Sequence, residues 1–584
     1  MIATKISKGF STDMNTTALE FIQAAFPDVP CTANLDAVVL TVQPEQLETT
    51  LSRLKNDPEL QYGLLLDVTA VDYLEYPVEQ ATRFAVVHTL RNWEKNQLVQ
   101  VRTPVADPEA GVPTATHLWD SANWGERETF DQYGINFQGH PDLRRILNHW
   151  QFEGHPLRKD YPIEKGQVCY ETDSLEKEIK ARLQAKGVDQ TTMQDINTEI
   201  MFLNLGPSHP ATHGAIRILT ALDGETIVAN VNEIGYLHRG FEKTAENRTY
   251  NQIVPLTDRL NYCSSMINNI AFVKAVESWL GVDITDRCKF MRVILTEFYR
   301  IQDHLVCLAA NLLDMGGLTN YWYLYNQKEA SYDFISRLTG ARLTSSFTRV
   351  GGMYRDFYEG WEGDMEQQLR DIEMGVGDSL KLVEKNRIIH DRSQGVCAIS
   401  AEKALSFGFT GPCLRASGVP FDLRKDNPYY HYDAFDFSVP VGSKGDVYDR
   451  IFIRFEEIAQ SLSIIRQAMK MIPKGPVDIA NNNVSLPPKQ EVYSNIEGLA
   501  SHFKLVFEGV RTPVGEWYDS FEAANGELGF HFVSDGSGRP YKCKVRPPCF
   551  YMMGGFHEMV EGSMIADAIA NLGSINIIGG ELDR

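Results

Sequence analysis

Residues 166–195 separate two parts of the chain whose sequence patterns differ. This stretch, which includes "ETDSLEKEIKARLQAKG", is rich in charges of both signs and poor in large apolar side chains. Glu and Lys residues three or four positions apart stabilise an exposed helix without help from a core. The stretch therefore predicts a solvated helical linker, and residues 1–165 and 196–584 are expected to fold as two domains.

The part before the linker alternates between helical and strand patterns. Helical spacing occurs in "TALEFIQAAF" and "PEQLETTLSRLKND", whereas "AVVLTV", "YGLLLDVTAV", "RFAVVHTL" and "QLVQVRTPV" are short runs rich in β-branched residues. This alternation predicts a small α+β domain with one mostly antiparallel sheet.

The part after the linker is dominated by long helical patterns. In residues 288–317 apolar side chains recur every three or four positions until Gly316 and Gly317, and residues 364–386 and 449–472 have similar spacing. Strand patterns are confined to short runs, including a hairpin pattern in "GELGFHFVSDGSGRPYKCKV". The fold class predicted for the chain is α+β, with a small sheet-containing domain followed by a large, mainly α domain with small β pieces.

Composition excludes two classes of function. The 584 residues carry a formal net charge of -21, whereas a nucleic-acid-binding protein needs a basic face to replace the counterions around phosphate. No window approaches the ~20 consecutive apolar residues of a spanning helix, and "MIATKISKGFSTDMNTT" lacks the apolar core of a signal peptide. We expect a cytoplasmic protein that binds no nucleic acid and docks at most peripherally on a membrane protein.

The cysteines do not form a ligand set. The nine residues are scattered along the chain and no two form a Cys-x-x-Cys pair. This dispersal is typical of reduced core thiols and not of a disulfide framework or a self-contained zinc or iron–sulfur site.

The stretch "GPSHPATHG" (206–214) holds His209 and His213 four positions apart, with Pro210 between them. Histidines at this spacing on a helix often bind zinc, but Pro210 and the enclosing glycines argue against a helix here. The loop offers no Glu and no third ligand at a recognisable spacing. Metal binding, a structural turn and hydrogen bonding to a ligand all stay open on the residues alone.

Three further stretches contain charged residues that could take part in chemistry. "GYLHRGFEK" contains His238 and Arg239, and "PLTDRLNYCSS" contains Arg259 and Tyr262. Each has the composition of an ordinary helix-terminal cluster. In "LLDMGG", Asp314 closes an otherwise apolar helix, where a carboxylate that faces inward needs a cation or a hydrogen-bond donor beside it.

Together these stretches resemble a known family. "NLGPSHPATHG", "GYLHRGFEK", "DRLNY", "RVGG", "GPCLRASGVPFDLRK" and "GGELDR" are similar to the 49 kDa-type (D-type) subunit of NADH:quinone oxidoreductase (respiratory complex I). Upstream, "ERETFDQYGINFQGHPDLRRIL" and "GHPLRKDYP" are similar to its 30 kDa-type (C-type) subunit. The resemblance covers nearly the whole chain in order, and implies a fused C/D-type chain in the peripheral arm of the complex.

The resemblance also implies site residues. It assigns hydrogen bonding to the two carbonyl oxygens of a ubiquinone or menaquinone head to His213 and Tyr262, and pairing with the histidine to Asp314. A carboxylate beside an imidazole orients the ring and favours its protonated form, so these three residues are the expected catalytic set. His209, Arg239 and Arg259 match family residues near the same cavity or the adjoining cluster, and for each of them a direct part in quinone binding and a structural role both stay open.

The 49 kDa-type subunit is in turn similar to the large subunit of nickel–iron hydrogenases, which holds its metals with two Cys-x-x-Cys pairs. At the first of these places this chain has Asn261 and Ser264, and "GELDR" at its C-terminus has no thiol. The resemblance therefore implies no metal in this chain. The resemblance implies that the electrons that reduce the quinone come from the terminal iron–sulfur cluster of a neighbouring subunit. It also implies further peripheral-arm subunits and membrane-arm subunits as partners.

A second hypothesis is a structural scaffold in a related ferredoxin- or hydrogenase-linked membrane complex, where the quinone residues would be idle. The combination of His213, Tyr262 and Asp314 discriminates between the two, because a scaffold has no reason to combine them.

Overall fold

The computed structural model describes residues 12–35, 37–170, 175–187 and 200–584. Residues 171–174 and 188–195 of the predicted linker, and residues 196–199 that follow it, lie outside the described residues.

The described strands are β1 (Cys31–Asn34), β2 (Ala37–Thr41), β3 (Leu64–Asp72), β4 (Phe84–Asn92), β5 (Gln97–Val105), β6 (Val112–Pro113), β7 (Phe137–Gln138), β8 (Met201–Leu205), β9 (Arg217–Asp223), β10 (Thr226–Glu233), β11 (Thr348–Arg349), β12 (Gly352–Met353), β13 (Gly515–Ala523), β14 (Gly526–Ser534) and β15 (Lys542–Arg546).

The described α-helices are α1 (Thr12–Ala25), α2 (Pro44–Asn56), α3 (Ala122–Tyr133), α4 (Glu176–Ala185), α5 (Phe241–Ala245), α6 (Tyr250–Thr257), α7 (Ser265–Leu280), α8 (Asp286–Asp314), α9 (Leu318–Thr339), α10 (Trp361–Val383), α11 (Arg387–Asp391), α12 (Ala401–Ser406), α13 (Gly411–Ala416), α14 (Leu423–Asp426), α15 (Val447–Met471), α16 (Lys489–Ser494), α17 (Ile496–Phe507), α18 (Pro548–Gly554), α19 (Phe556–Val560), α20 (Ile565–Ile575) and α21 (Gly579–Asp583).

The N-terminal part contains one five-stranded sheet in the order β1-β2-β5-β4-β3. All neighbouring strands are antiparallel except β2 and β5, so the prediction of a mostly antiparallel sheet is confirmed. Helices α2 and α3 pack against this sheet. Apolar residues of β2–β5 and of these helices form its core. The β-branched runs that predicted the strands supply the sheet's side chains in this core.

The C-terminal part is built around α8, which packs against α7, α9, α15 and α20. Small antiparallel sheets flank these helices: β8, β9 and β10 form one, and β13, β14 and β15 form another. A turn at Asp223 and Gly224 joins β9 to β10, and the predicted hairpin that starts at residue 526 is formed by β14 and β15. The predicted fold class is therefore confirmed.

The second face of the N-terminal sheet is covered by the C-terminal part. Every residue of β3 and β4 is buried. Val71 and Val87 belong to one apolar cluster with Val533, and Leu64 and Leu66 belong to another with Tyr518. A strand buried on both faces has a continuous apolar run and not an alternating one. This explains the pattern of "YGLLLDVTAV".

Helix α4 lies in the predicted linker, but it is not solvated on all sides. Leu175, Ile179 and Leu183 are buried against Leu219 and Val231 of the β9–β10 ribbon. Their four-residue spacing forms an apolar stripe that the surrounding charges obscure in the sequence. The boundaries 1–165, 166–195 and 196–584 stay a prediction.

None of the described helices is both long enough and apolar enough to cross a membrane.

Candidate functional site

The histidine loop, residues 206–214, connects β8 to β9. At Gly206 the backbone has φ +87°, and a Cβ there would lie 1.9 Å from the Ile216 carbonyl oxygen, so only glycine fits. The loop contains a short 3-10 turn, Pro210–Thr212, whose first N–H group, that of Ala211, donates to His209 Nδ1 at 3.2 Å. His209 therefore shapes the loop, and His213 follows the turn at its end.

His213 and Asp314 are in direct contact. The distance from His213 Nε2 to Asp314 Oδ2 is 2.6 Å, and the two side chains are 22% and 21% exposed. Asp314 is the last residue of α8 and His213 has a left-handed backbone conformation with φ 54°. Across the described part of the chain, no hydrogen bond engages the other ring nitrogen, Nδ1, which leaves it available to a ligand.

Tyr262 begins a 3-10 turn, Tyr262–Ser264, and is 38% exposed. The side chain of Asn261 caps this turn by accepting hydrogen bonds from the backbone of Cys263 at 3.1 Å and of Ser264 at 3.3 Å. Burial raises the pKa of Tyr262, and the nearby Cys263 and Asp303 add to the rise. The phenol is therefore protonated at neutral pH and can donate a hydrogen bond.

Helix α21 lies between the histidine loop and the segment that leads to Tyr262. A Cβ on Gly214 would meet Gly579 Cα at 3.7 Å, and a Cβ on Gly580 would lie 2.4 Å from the Arg259 carbonyl oxygen. The two glycines that begin "GGELDR" thus let α21 approach both backbone segments closely. No hydrogen bond among the described residues joins Tyr262 to His213 or Asp314.

Arg239 and Arg259 lie at the surface beside these segments. Arg239 is exposed, and its backbone N–H donates to the carbonyl oxygen of Arg584 at 3.0 Å. The Arg259 guanidinium donates to the Pro255 carbonyl oxygen at 2.6 Å and is 3.5 Å from Asp258 Oδ2. Their predicted role in quinone binding stays a prediction, as does that of His209.

Asp583 has a role that the sequence reasoning did not assign. Its carboxylate accepts from the backbone N–H of Gly235 at 2.9 Å and of Leu237 at 2.7 Å, and its carbonyl oxygen is 2.8 Å from His238 Nδ1. Hydrogen bonds therefore join the motif "GYLHRGFEK" to the terminal "GGELDR". The presence of both motifs in the family resemblance was the one signal that connected them, since 345 positions separate His238 from Asp583.

All nine cysteines lie in the described residues and are free thiols, six of them buried. Among the described residues no group of three or more His, Cys, Asp or Glu side chains is arranged to hold a metal ion.

Comparison with known proteins shows the class to which this chain belongs. Residues 40–167 match the family described as "Respiratory-chain NADH dehydrogenase, 30 Kd subunit", and residues 314–584 match "Respiratory-chain NADH dehydrogenase, 49 Kd subunit". The small α+β part and the mainly helical part thus correspond to two subunit types joined in one chain.

Relatives that contain both parts identify the family further. The chain is 48% identical over 524 residues to the NADH-quinone oxidoreductase C/D subunit of Bdellovibrio bacteriovorus, an alignment that covers 90% of this chain and 91% of that protein. It is 36% identical over 555 residues to the C/D subunit of Yersinia pestis, with coverage of 94% and 92%. The D subunit of Pelobacter propionicus is 51% identical over 384 residues, 66% of this chain and 95% of that protein. The chain belongs to the family of fused NADH-quinone oxidoreductase C/D subunits, and the resemblance stated from its motifs is confirmed.

Proposed function

We propose that this chain forms the quinone-reduction site of a respiratory complex I, together with the neighbouring subunit that carries the terminal iron–sulfur cluster. The observation that carries the proposal is the 2.6 Å contact between His213 Nε2 and Asp314 Oδ2, which leaves Nδ1 as the ring nitrogen for a ligand. Both side chains are partly exposed, so the pair belongs to a surface that a partner protein can cover.

The chemistry of quinone reduction suits these residues. A quinone takes up two electrons and two protons as its two carbonyl oxygens become hydroxyl groups. In its protonated form His213 supplies one proton from Nδ1, and the Tyr262 phenol supplies the other. The electrons come from the partner's cluster, and both side chains are reprotonated from solvent.

The remaining family roles are part of the same proposal. Arg239 and Arg259 lie at the surface next to the loops that hold His213 and Tyr262, where their charges face the cluster-bearing partner or the quinone. The complex takes electrons from NADH and couples quinone reduction to proton translocation. Its membrane-arm subunits hold this chain peripherally on the cytoplasmic side of the inner membrane.

The scaffold hypothesis is less well supported. The relatives with the same two parts are named NADH-quinone oxidoreductase subunits, and an idle site gives no reason for a histidine–carboxylate contact on a partly exposed loop.

Replacement of Tyr262 by phenylalanine tests the proposal. Tyr262→Phe removes only the hydroxyl, and the loss of this directional hydrogen bond should slow quinone reduction by about tenfold. Electron transfer from NADH to ferricyanide should be unchanged, because it bypasses the quinone site. Tyr493→Phe, at a side chain that is 86% exposed, is the matched control. A wild-type rate of Tyr262→Phe with a short-chain quinone would contradict the proposal.

A further inference from the structure

A buried carboxylate lies behind Tyr262 on α8. Asp303 is completely buried, and its two oxygens accept from two amide groups: Asn261 Nδ2 at 2.8 Å and Asn576 Nδ2 at 2.6 Å. Within the described residues Asp303 takes part in no ion pair. Burial of a charge without a cation is costly, so this carboxylate depends on the two amide groups that donate to it.

Asp303 in turn sets the orientation of Asn261. An asparagine amide has one acceptor end and one donor end, whereas a carboxylate can only accept. Asp303 therefore forces the NH₂ group of Asn261 towards itself, and the Oδ1 atom must face the N–H groups of Cys263 and Ser264. These are the amides of the turn that Tyr262 begins.

The same carboxylate reaches the other side of the site. Asn576 lies at the end of α20 with φ 56°, and its NH₂ group bridges Asp303 and Asn525 Oδ1, each at 2.6 Å. Helix α21, whose glycines pack beside Gly214 and Arg259, begins three residues later. Asp303 thus joins the turn of Tyr262 to the chain segment that supports the histidine loop.

From this geometry we propose that Asp303 is a positioning residue for quinone reduction, which holds the Tyr262 turn through Asn261. This inference rests on the proposed function of Tyr262. Asp303 itself does not touch the quinone.

The charge of Asp303 has a second consequence, because it lies close enough to the phenol to influence it. The pKa of Tyr262 is raised by burial first, and then by the neighbouring Cys263 on its own turn, Asp303 on α8 and Cys549 on α18. Removal of the Asp303 charge should therefore lower the pKa of Tyr262 towards its ordinary value. The part of the alkaline decline of quinone reduction that comes from loss of the Tyr262 proton should then begin at a lower pH.

An exchange of the two side chains tests the proposal in the assembled complex. In Asp303→Asn the new side chain has a single acceptor oxygen, so one of the two neighbouring amides loses its partner. In Asn261→Asp two carboxylates face each other. The double variant Asn261→Asp/Asp303→Asn restores every contact. Its carboxylate at position 261 accepts from Cys263, Ser264 and the new amide, which in turn accepts from Asn576.

Each single variant should raise the KM for a short-chain quinone by about tenfold, whereas the double variant should return to within about twofold of the wild type. Asp303→Asn should also shift the alkaline limb to lower pH, and the double variant should shift it back because it restores a negative charge. Electron transfer from NADH to ferricyanide and the polypeptide composition of the purified complex report assembly. If a single variant does not assemble, recovery of assembly and KM by the double variant gives the same support.

Two results would overturn the inference: an unchanged KM and pH profile in Asp303→Asn, or a double variant as defective as the single variants. The test is separate from that of the proposed function. If Tyr262→Phe slows quinone reduction while Asp303→Asn does not alter it, only the positioning role fails. If Tyr262→Phe has no effect, the proposed function fails.

Discussion

At the scale of single residues, contact between polar groups distant in sequence decides the site. His213 and Asp314 are 101 positions apart and Asn261 and Asp303 are 42 apart, so no local spacing predicts either contact. The family resemblance predicted the first contact, because it implies that Asp314 pairs with His213. It gave no sign of the second pair, because Asp303 occurs in the sequence as one of many charged residues on a helix.

The His213–Asp314 contact predicts strong coupling between the two side chains. His213→Ala and Asp314→Asn should each slow quinone reduction by about tenfold or more, and the double variant should be little slower than either single variant, because the carboxylate acts through the ring. The rates are measured with a short-chain quinone and normalised to electron transfer from NADH to ferricyanide. Losses that simply add would show that Asp314 acts elsewhere.

At the scale of elements, α8 shows where the pattern of the sequence was sufficient and where it was not. Its apolar stripe correctly predicts the helix. The same stripe implies that the opposite face is exposed, yet Arg292, Glu297, Arg300 and Asp303 are all completely buried. Helices α7, α9, α15 and α20 all pack against α8, so its buried charged residues need polar partners inside the protein. A hydrophobic period cannot reveal this, because it describes one face only.

Helix α4 is the opposite case, because its many charged residues obscure the apolar face that the structure buries. The docking of this helix can be tested directly. Ile179→Ala removes a completely buried side chain from the cluster with the β9–β10 ribbon and should destabilise the docking of α4 by about 2 kcal/mol. Limited proteolysis of the isolated chain should then cut within Glu176–Ala185 faster than in the wild type. Lys177→Ala, at an exposed position of the same helix, is the control. Equal cleavage rates would show that the helix is not held by this face.

At the scale of the whole molecule, the two parts share a buried polar interface that their separate patterns do not predict. Arg91 of β4 pairs with Glu527 of β14 at 2.9 Å, and the Tyr551 hydroxyl donates to Asp67 at 2.7 Å. Lys544 alternates with apolar residues along β15 and is therefore expected to face solvent, but it is buried against Glu128 of α3. The carboxylate of Glu128, on the N-terminal part, explains why Lys544 is buried and does not face solvent.

Glu128 should therefore contribute to the stability of the joined parts. It pairs with Lys544 and, at 3.0 Å, with Arg584, so Glu128→Gln removes the nearest countercharge of two buried cations. The variant should lose about 3 kcal/mol of stability and show a lower thermal midpoint in the isolated chain. Glu79→Gln, which removes an exposed carboxylate of the same part, should leave the midpoint unchanged. A midpoint in Glu128→Gln equal to that of Glu79→Gln would contradict this account of the interface.

The central claim is that a quinone binds where the histidine loop and the Tyr262 turn lie, and photolabelling of the intact complex tests it most directly. A photoreactive short-chain quinone analogue is activated in the complex, and the labelled peptides of this chain are mapped by mass spectrometry. We expect label within residues 206–214 or 258–264, lost when excess quinone competes and strongly reduced in the His213→Ala/Tyr262→Phe variant. Quinone-competed label confined to other segments of this chain, or to other proteins of the complex alone, would contradict the account.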